Sequence, residues 1–555
     1  MSVSREPSKA RFTGSAKAAK QSFAKLEKRS PRLASSIALA ALFAAVSSSA
    51  CGSRTGMLVE QQDAGVDTKT PAGACTRDAD CAALGDVCNP VGCGPANRCI
   101  DLAPKDCDDH DACTNDTCTG VEGTCHHDPV TLDVDSDGHR APLPGHRAGD
   151  PGSCGDDCDD ASAKAFPGNK EICDGVDNDC NGVVDDGMRY VPASTTIDAV
   201  RLSGDIAPAE PAGIAWSGDS YLTAYAGTVS SKLHVFTSLL APDGSKLSPE
   251  ARFTVTTADS AGGVLAWTGA EYGIMWDDRR DDWETYFNRI NAKGEKLGPD
   301  QLVSPGDGTW SLGSSLVWTG SEYVVTYEDQ GDLFPDFDLY AQRLDEGGKP
   351  IGGNVQLEPD QSEDASVGVG LGTLGIAWTH TESGNHDVYF RVFDRKLVPV
   401  SAKIRLTTGS IAGQSPNVVW NRDHYVVAWY DADGSKHAVY GAAIDEAGVV
   451  SVPARAITDS LKFSRYPTIR PLGDRLLLVW SDTKDGNKGY ELYAKMLDTT
   501  LGSIDVERRV TNAVGDSVFP TASFGPTGDV GIIFRDDRTG ATNTWFTRLV
   551  CAAGS

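Results

Sequence analysis

Between Cys180 and Cys551 the chain has no cysteine at all, and even the longest apolar run of the sequence is short. That run, roughly Leu33 to Ser47, is too short to span a bilayer comfortably, and nothing else comes near transmembrane length. Basic charge is scarce as well, with 50 Lys+Arg against 78 Asp+Glu. Phosphate binding needs a basic surface, so this balance argues against nucleic acid or an anionic membrane as a partner. Catalytic signatures are also missing. There is no G-x-S-x-G elbow, Walker loop or HExxH, no dinucleotide fingerprint follows a strand, and there is no S-x-D-x-G-x-x-W box in the repeats described below. His234, His380, His386, His424 and His437 are scattered across three of the repeats and read as turn or surface residues rather than bases.

The positive charge that exists is concentrated at the start. Residues 1–32 hold nine Lys/Arg and two Glu, a net of +7. The apolar run follows, then Ser48-Ser49-Ala50-Cys51. A basic region, a short apolar core and small residues make an export signal. The cysteine after the small residues resembles a bacterial lipoprotein signal, although Ser48 stands where that family has an aliphatic residue. The resemblance implies cleavage before Cys51 and lipidation of its thiol. Gly52, a non-aspartate, implies sorting to the outer membrane. Membrane contact is therefore expected only through a lipid anchor.

Cysteine arithmetic agrees with export. Setting Cys51 aside, fourteen of the 15 cysteines remain: Cys75, Cys81, Cys88, Cys93, Cys99, Cys107, Cys113, Cys118, Cys125, Cys154, Cys158, Cys173, Cys180 and Cys551. This density reads as disulfide-stapled modules in an oxidising compartment, with connectivity left open. We expect Cys551 to pair with a cysteine of this region. The organisation predicted is a signal peptide (1–50), a flexible tether (51–74), cysteine-rich modules (75–130), an acidic region (131–187) and a repeat domain (188–551).

The repeats set the fold. Aromatic residues close one apolar run per repeat: Tyr225, Trp276, Tyr327, Trp378, Trp429, Trp480 and Phe534. A second series, Trp216, Trp267, Trp318 and Trp420, leads by nine residues, and a further short run and a Gly/Asp turn follow each time. Four short strands per period of about 50 residues predict an all-β, seven-bladed β-propeller, preceded by a small disulfide-rich, metal-binding stalk and a disordered signal region. Repeat seven lacks a fourth strand, and a lone strand of that type, Ala199-Val-Arg-Leu202, precedes repeat one. Donating it to the last blade closes the ring and removes two open edges. The periodic aromatics read as core. The periodic Asp278, Asp329, Asp431, Asp482 and Asp536, with His380 in the same slot, read as hairpin-fixing residues. Any site must lie where the period breaks; the departures Asp277–Trp283 and Asp329–Asp338 read as solvated loops.

Residues 101–187 carry twenty Asp and two Glu against five Lys/Arg. Carboxylates this dense repel one another, and a hard divalent cation relieves the repulsion. Asp133-Val-Asp135-Ser-Asp137-Gly138 gives oxygens at alternate positions and a glycine for the turn, as calcium loops require. A second copy reads Asp177-Asn-Asp179-Cys-Asn181-Gly182-Val-Val-Asp185. Neither has the twelfth-position glutamate of an EF-hand, so both resemble the helix-free loops of thrombospondin type 3 repeats. The longer run, Asp157-Cys-Asp-Asp160, Phe166-Pro-Gly168 and Glu171 to Gly182, resembles the MopE-type metal-binding motif of secreted and surface bacterial proteins. That resemblance implies Asp135, Asp137, Asp159, Asp177, Asp179 and Asn181 as ligands and Cys158, Cys173 and Cys180 as structural residues. Copper is associated with the family name, but oxygen donors favour Ca²⁺. Cys107 to Cys118, with Gly123-Thr-Cys125, resembles another short cysteine module of bacterial surface proteins.

Together these features predict a cell-envelope lipoprotein, outer-membrane and surface-exposed or extracellular. A calcium-stabilised stalk presents a propeller for binding a protein or polysaccharide, without catalysis. The other reading is a propeller hydrolase or lyase acting on extracellular glycans.

Overall fold

The structure is a computed structural model. It describes residues 75–553 except 121, 194–198, 281, 331–336, 383, 408–411, 432–437, 459–462, 485–488 and 526–527. The signal peptide, the tether and Cys51 lie outside the described residues. The described chain divides into two compact units at Pro167/Gly168.

The first unit has too little apolar sequence for an ordinary core and is stapled instead. Its disulfides are Cys75–Cys93, Cys81–Cys99, Cys88–Cys118, Cys107–Cys125 and Cys113–Cys154. Two hairpins, Val91–Cys93 with Cys99–Asp101 and Thr114–Thr119 with Thr124–Pro129, supply one cysteine to each of the first four. Cys93 faces Cys99, and Cys118 faces Cys125, in the strand register. Each nevertheless bonds elsewhere, so the bridges tie the hairpins to the loops around them. Small exported modules reach stability in this way. All fourteen cysteines from Cys75 onward are disulfide-bonded.

The second unit is the seven-bladed propeller. Six four-stranded antiparallel sheets span 209–252, 260–302, 311–358, 362–405, 413–456 and 464–509, here blades 1 to 6. Blade 7 takes three strands from 517–553, and Val200–Arg201 pairs with the third of them, opposite Trp545 and Phe546. The ring thus closes with the N-terminal strand, as the phase of the repeats predicts. One strand was not legible in the sequence. Met188–Pro192 pairs with Leu549 to Ala553, an extension of the last strand past the usual blade length.

Cross-strand aromatic pairs build the cores. The periodic residues Tyr225, Trp276, Tyr327, Trp378, Trp429, Trp480 and Phe534 are all 0–1% exposed. Each sits opposite an aromatic of the third strand, as Trp276 does opposite Tyr286 and Phe534 opposite Trp545. The earlier tryptophans pack on the next strand's tyrosine, Trp267 on Tyr272 at 4.5 Å between centroids. Between blades the tyrosine meets glycine. A Cβ on Gly531 in blade 7 would lie 2.8 Å from the Tyr221 ring of blade 1, so only glycine lets the last blade seat against the first.

The periodic aspartates tie strands together at the start of each inner strand. Ser260, Ser311, Ser464 and Ser517 donate to Asp278, Asp329, Asp482 and Asp536 at 3.0, 3.1, 2.6 and 2.6 Å. In blade 4, His380 meets Ser362 at 3.2 Å in the same role. The other carboxylate oxygen accepts a turn N–H two residues on, from Arg280, Lys484 and Arg538. The segment 277–283 departs from expectation. Asp277, Asp278 and Trp283 are 2, 0 and 1% exposed, part of the wall between blades rather than a solvated loop. Most of the insert 329–338 lies outside the described residues.

Candidate functional site

The loop Asp133–Gly138 is built by its own carboxylates. Asp133 accepts the Gly138 N–H at 3.1 Å, Asp135 that of Asp137 at 3.2 Å, and Asp137 that of His139 at 2.8 Å. Ser136 and Gly138 take positive φ, 67° and 99°, which turns the chain tightly enough to bring alternate side chains together. Two more carboxylates arrive from the next segment. Asp160 accepts the Val134 N–H at 3.0 Å, and Asp157 accepts that of Asp159 at 2.8 Å. In each case one oxygen serves the backbone and the second is left over. Asp133 Oδ1, Asp135 Oδ2, Asp137 Oδ2 and Asp157 Oδ2 are buried and have no hydrogen-bond partner among the described residues.

These oxygens converge. One carboxylate oxygen from each of Asp133, Asp135 and Asp160 falls within 4.8 Å of the other two, and the same holds for Asp135, Asp137 and Asp157. Two ligands of a single calcium ion, each 2.3–2.6 Å from the metal, lie at most about 5 Å apart. Burial drives the Asp157 carboxyl upward from its ordinary range, and the charges of Asp137, Asp135 and Asp160 push it in the same direction. A carboxylate group so placed without a counterion is costly. The residues therefore fit a hard cation. Asp159 is exposed and stands outside both groups, and Asp157 and Asp160 occupy the positions that the spacing alone did not single out.

The second loop belongs to the propeller's unit and repeats the wiring of the first. Asp177 accepts the Gly182 N–H at 2.7 Å, Asp179 that of Asn181 at 3.1 Å, and Asn181 that of Val183 at 2.8 Å. Glu171 holds the Asp179 N–H through one oxygen and leaves Oε2 buried without a partner among the described residues. Asp185 is turned the other way. It accepts the Gly175 N–H at 3.1 Å and lies 3.8 Å from Arg475 of blade 6, and burial raises its carboxyl to about 6. Cys173 of this segment is bonded to Cys551 at the end of the last blade.

Seven inner strands line a central channel of about 410 Å³. Carboxylates near its rim brace neighbouring blades. Asp277 accepts the Gly313 N–H of blade 3 at 2.7 Å and the Thr285 hydroxyl at 3.1 Å, and Glu328 accepts the Asp364 N–H of blade 4 at 2.5 Å. Burial pushes the Asp277 carboxyl up to about 8 against the pull of those two bonds. In the unfolded chain the group ionises near 4. Between about pH 4 and 8 the folded state keeps a proton that the unfolded state has lost, so stability falls as pH rises through that window. Melting at pH 5 and pH 8 is expected to show a lower Tm at pH 8, with the difference reduced in Asp277→Asn. Equal pH slopes in both proteins would contradict this.

Comparison with known proteins follows the same division. Residues 157–186 match the Cu-binding MopE family, described as "Putative metal-binding motif". Protein psiN of Dictyostelium discoideum is 41% identical over 56 residues, 10% of this chain and 8% of that protein. Protein psiR of the same organism is 51% identical over 47 residues, 8% of this chain and 4% of that protein. Each match thus spans under a tenth of the relative. Among solved structures, the subtype N10 neuraminidase-like protein of A/little yellow-shouldered bat/Guatemala/060/2010 aligns over 66% of this chain and 98% of its own, with a TM-score of 0.38 and 9% identity. Trypanosoma rangeli sialidase aligns over 65% and 59%, with a TM-score of 0.37 and 13% identity. The chain carries a metal-binding motif beside a propeller, and its disulfides mark it as exported.

Proposed function

We propose that this is a non-catalytic cell-envelope lipoprotein, acylated at Cys51 and displayed on the outer membrane. Ca²⁺ rigidifies its acidic stalk, and the propeller presents a surface to a protein or glycan ligand. The observation that carries the calcium part is the set of four buried, partnerless carboxylate oxygens on Asp133, Asp135, Asp137 and Asp157. Oxygen-only donors on a tight, glycine-turned loop suit Ca²⁺ better than copper, which prefers imidazole or sulfur. The second loop, with Asp177, Asp179 and Asn181 as donors, has one fewer charge and is expected to bind more weakly. Asp185 supports it from behind, through Arg475.

Limited proteolysis of the full chain with and without EDTA tests this reading. With Ca²⁺ the region 75–187 is expected to resist cleavage, and chelation is expected to open sites between residues 131 and 187. Cleavage that is identical in both conditions would remove calcium from the proposal. Radiolabelled palmitate incorporation, lost in Cys51→Ala, checks the anchor.

A further inference from the structure

Among the described side chains lining the channel, two are charged, Asp364 and Arg470. Arg470 breaks the repeat. Ala215, Ala266, Val317, Gly368, Val419 and Ser523 stand at its position in the other blades. Its Nε donates to the Ala522 carbonyl at 2.7 Å, and its Nη1 donates to Asn417 Oδ1 at 3.2 Å and to its neighbour's carbonyl, Ile469, at 2.7 Å. Every acceptor is neutral. Burial without an anion brings the guanidinium down to about 10. A guanidinium has five N–H groups, and the two on Nη2 have no partner among the described residues. In a chain of net charge −28, a cation held by three neutral groups and left without a carboxylate is out of character.

The channel rim, four residues along the strand from Arg470, carries a second departure. Each inner strand has an irregularity at the same phase, where blade 2 uses Gly262 at φ 85°. Blades 4 to 7 put Asp364, Ser415, Tyr466 and Phe519 there, at φ 57°, 52°, 53° and 56°. Left-handed backbone is unfavourable for bulky residues, and glycine serves the turn without that cost. Such strain collects at ligand sites. The Tyr466 and Phe519 rings lie 4.1 Å apart between centroids, and Tyr430 packs edge-on against Tyr466 at 5.4 Å. Both rim rings are half-buried and line the channel. Asn417, which helps hold the guanidinium, is two residues from Ser415, about 7 Å along its strand.

We propose that the channel is a binding site for a hydroxylated six-membered ring bearing a carboxylate, with the ring against Tyr466 and Phe519, the carboxylate on Arg470 and a hydroxyl on Asp364. A volume of about 410 Å³ suits one small ligand or the end-group of a chain. Uronic acid residues of acidic polysaccharides have this chemistry; aromatic acids share all but the hydroxyls. The site rests on the propeller being the ligand-presenting part, and does not depend on the metal.

Saturation-transfer NMR on the full chain tests it with four probes: glucuronate, glucose, benzoate and benzyl alcohol. Glucuronate is expected to give the strongest transfer, benzoate less, and the two neutral compounds little. Arg470→Gln is expected to weaken glucuronate on the order of tenfold, since a charge-assisted hydrogen bond is lost. Tyr466→Asn, which tolerates the same backbone, is expected to weaken it with the melting temperature held. Benzoate equal to glucuronate would overturn the role of Asp364. Transfer from glucose equal to that from glucuronate, or undiminished signal in Arg470→Gln, would overturn the site. A glycan array with the same protein separates the two failures. Array binding without a glucuronate signal removes the channel site and leaves the propeller as binder, and no binding in either experiment removes both.

Discussion

Asp157→Asn is expected to cost the stalk about 100-fold in Ca²⁺ affinity, while Asp159→Asn leaves it within about twofold. A hundredfold loss is ~2.7 kcal/mol, a reasonable penalty for removing one charged ligand from a small oxygen cage. The two residues differ by two positions and in nothing that composition shows. Asp157 is fully buried, with one oxygen on the Asp159 N–H and the other aimed at Asp135 and Asp137. Asp159 points to solvent. Terbium luminescence titration of the full chain, competed by Ca²⁺, reads the affinities. The metal-free protein should respond in the opposite sense. Without the ion, Asp157 adds one more charge to a mutually repelling group, so Asp157→Asn should melt higher than wild type in EDTA and lower in Ca²⁺. A variant that melts lower in both conditions would show an ordinary packing role and count against the metal.

That contrast marks where sequence reading stops. Alternation of oxygen donors before a glycine identified Asp133, Asp135 and Asp137 as a loop, because the pattern is local and the chain itself makes the turn. Which carboxylates from the next segment close the cage is a tertiary fact, and the alternation at 157 and 159 gave no means to choose. Asp185 shows the converse. It continues the loop spacing, yet the fold places it against Arg475, some 290 residues away in sequence. The propeller was legible for a different reason: seven copies average out local ambiguity, and the buried aromatics that fix each blade recur at a nearly constant interval. The same averaging hides function. Arg470 and the left-handed Tyr466 and Phe519 become visible only once strands are aligned in space and the repeat's own residues are subtracted. The strand Met188–Pro192 was hidden because its partner lies at the far end of the chain, with no repeat to announce it.

Removing the bridge that anchors this far end should produce the other large effect. Cys173–Cys551 joins residues 378 apart, so it restrains nearly the whole propeller. Loop entropy alone sets its contribution at about 6 kcal/mol, just above the usual range for disulfides. The surroundings favour realising much of that value in the native state. Leu549 to Ala553 are already held in register by Met188–Pro192, the Tyr190 hydroxyl donates to the Gly528 carbonyl at 2.8 Å, and Cys173 is 2% exposed within the core of blades 6 and 7. The double variant Cys173→Ala/Cys551→Ala is therefore expected to melt roughly 10 °C lower than wild type under non-reducing conditions, at about 2 °C per kcal/mol for a domain of this size. Most of the loss should come from faster unfolding, because the ends of the ring separate first once the covalent link is gone. Ring closure by Val200–Arg201 is retained in that variant, so the protein should still fold. If the double variant melts within a degree or two of wild type, the two strands close the ring unaided and the bridge is redundant.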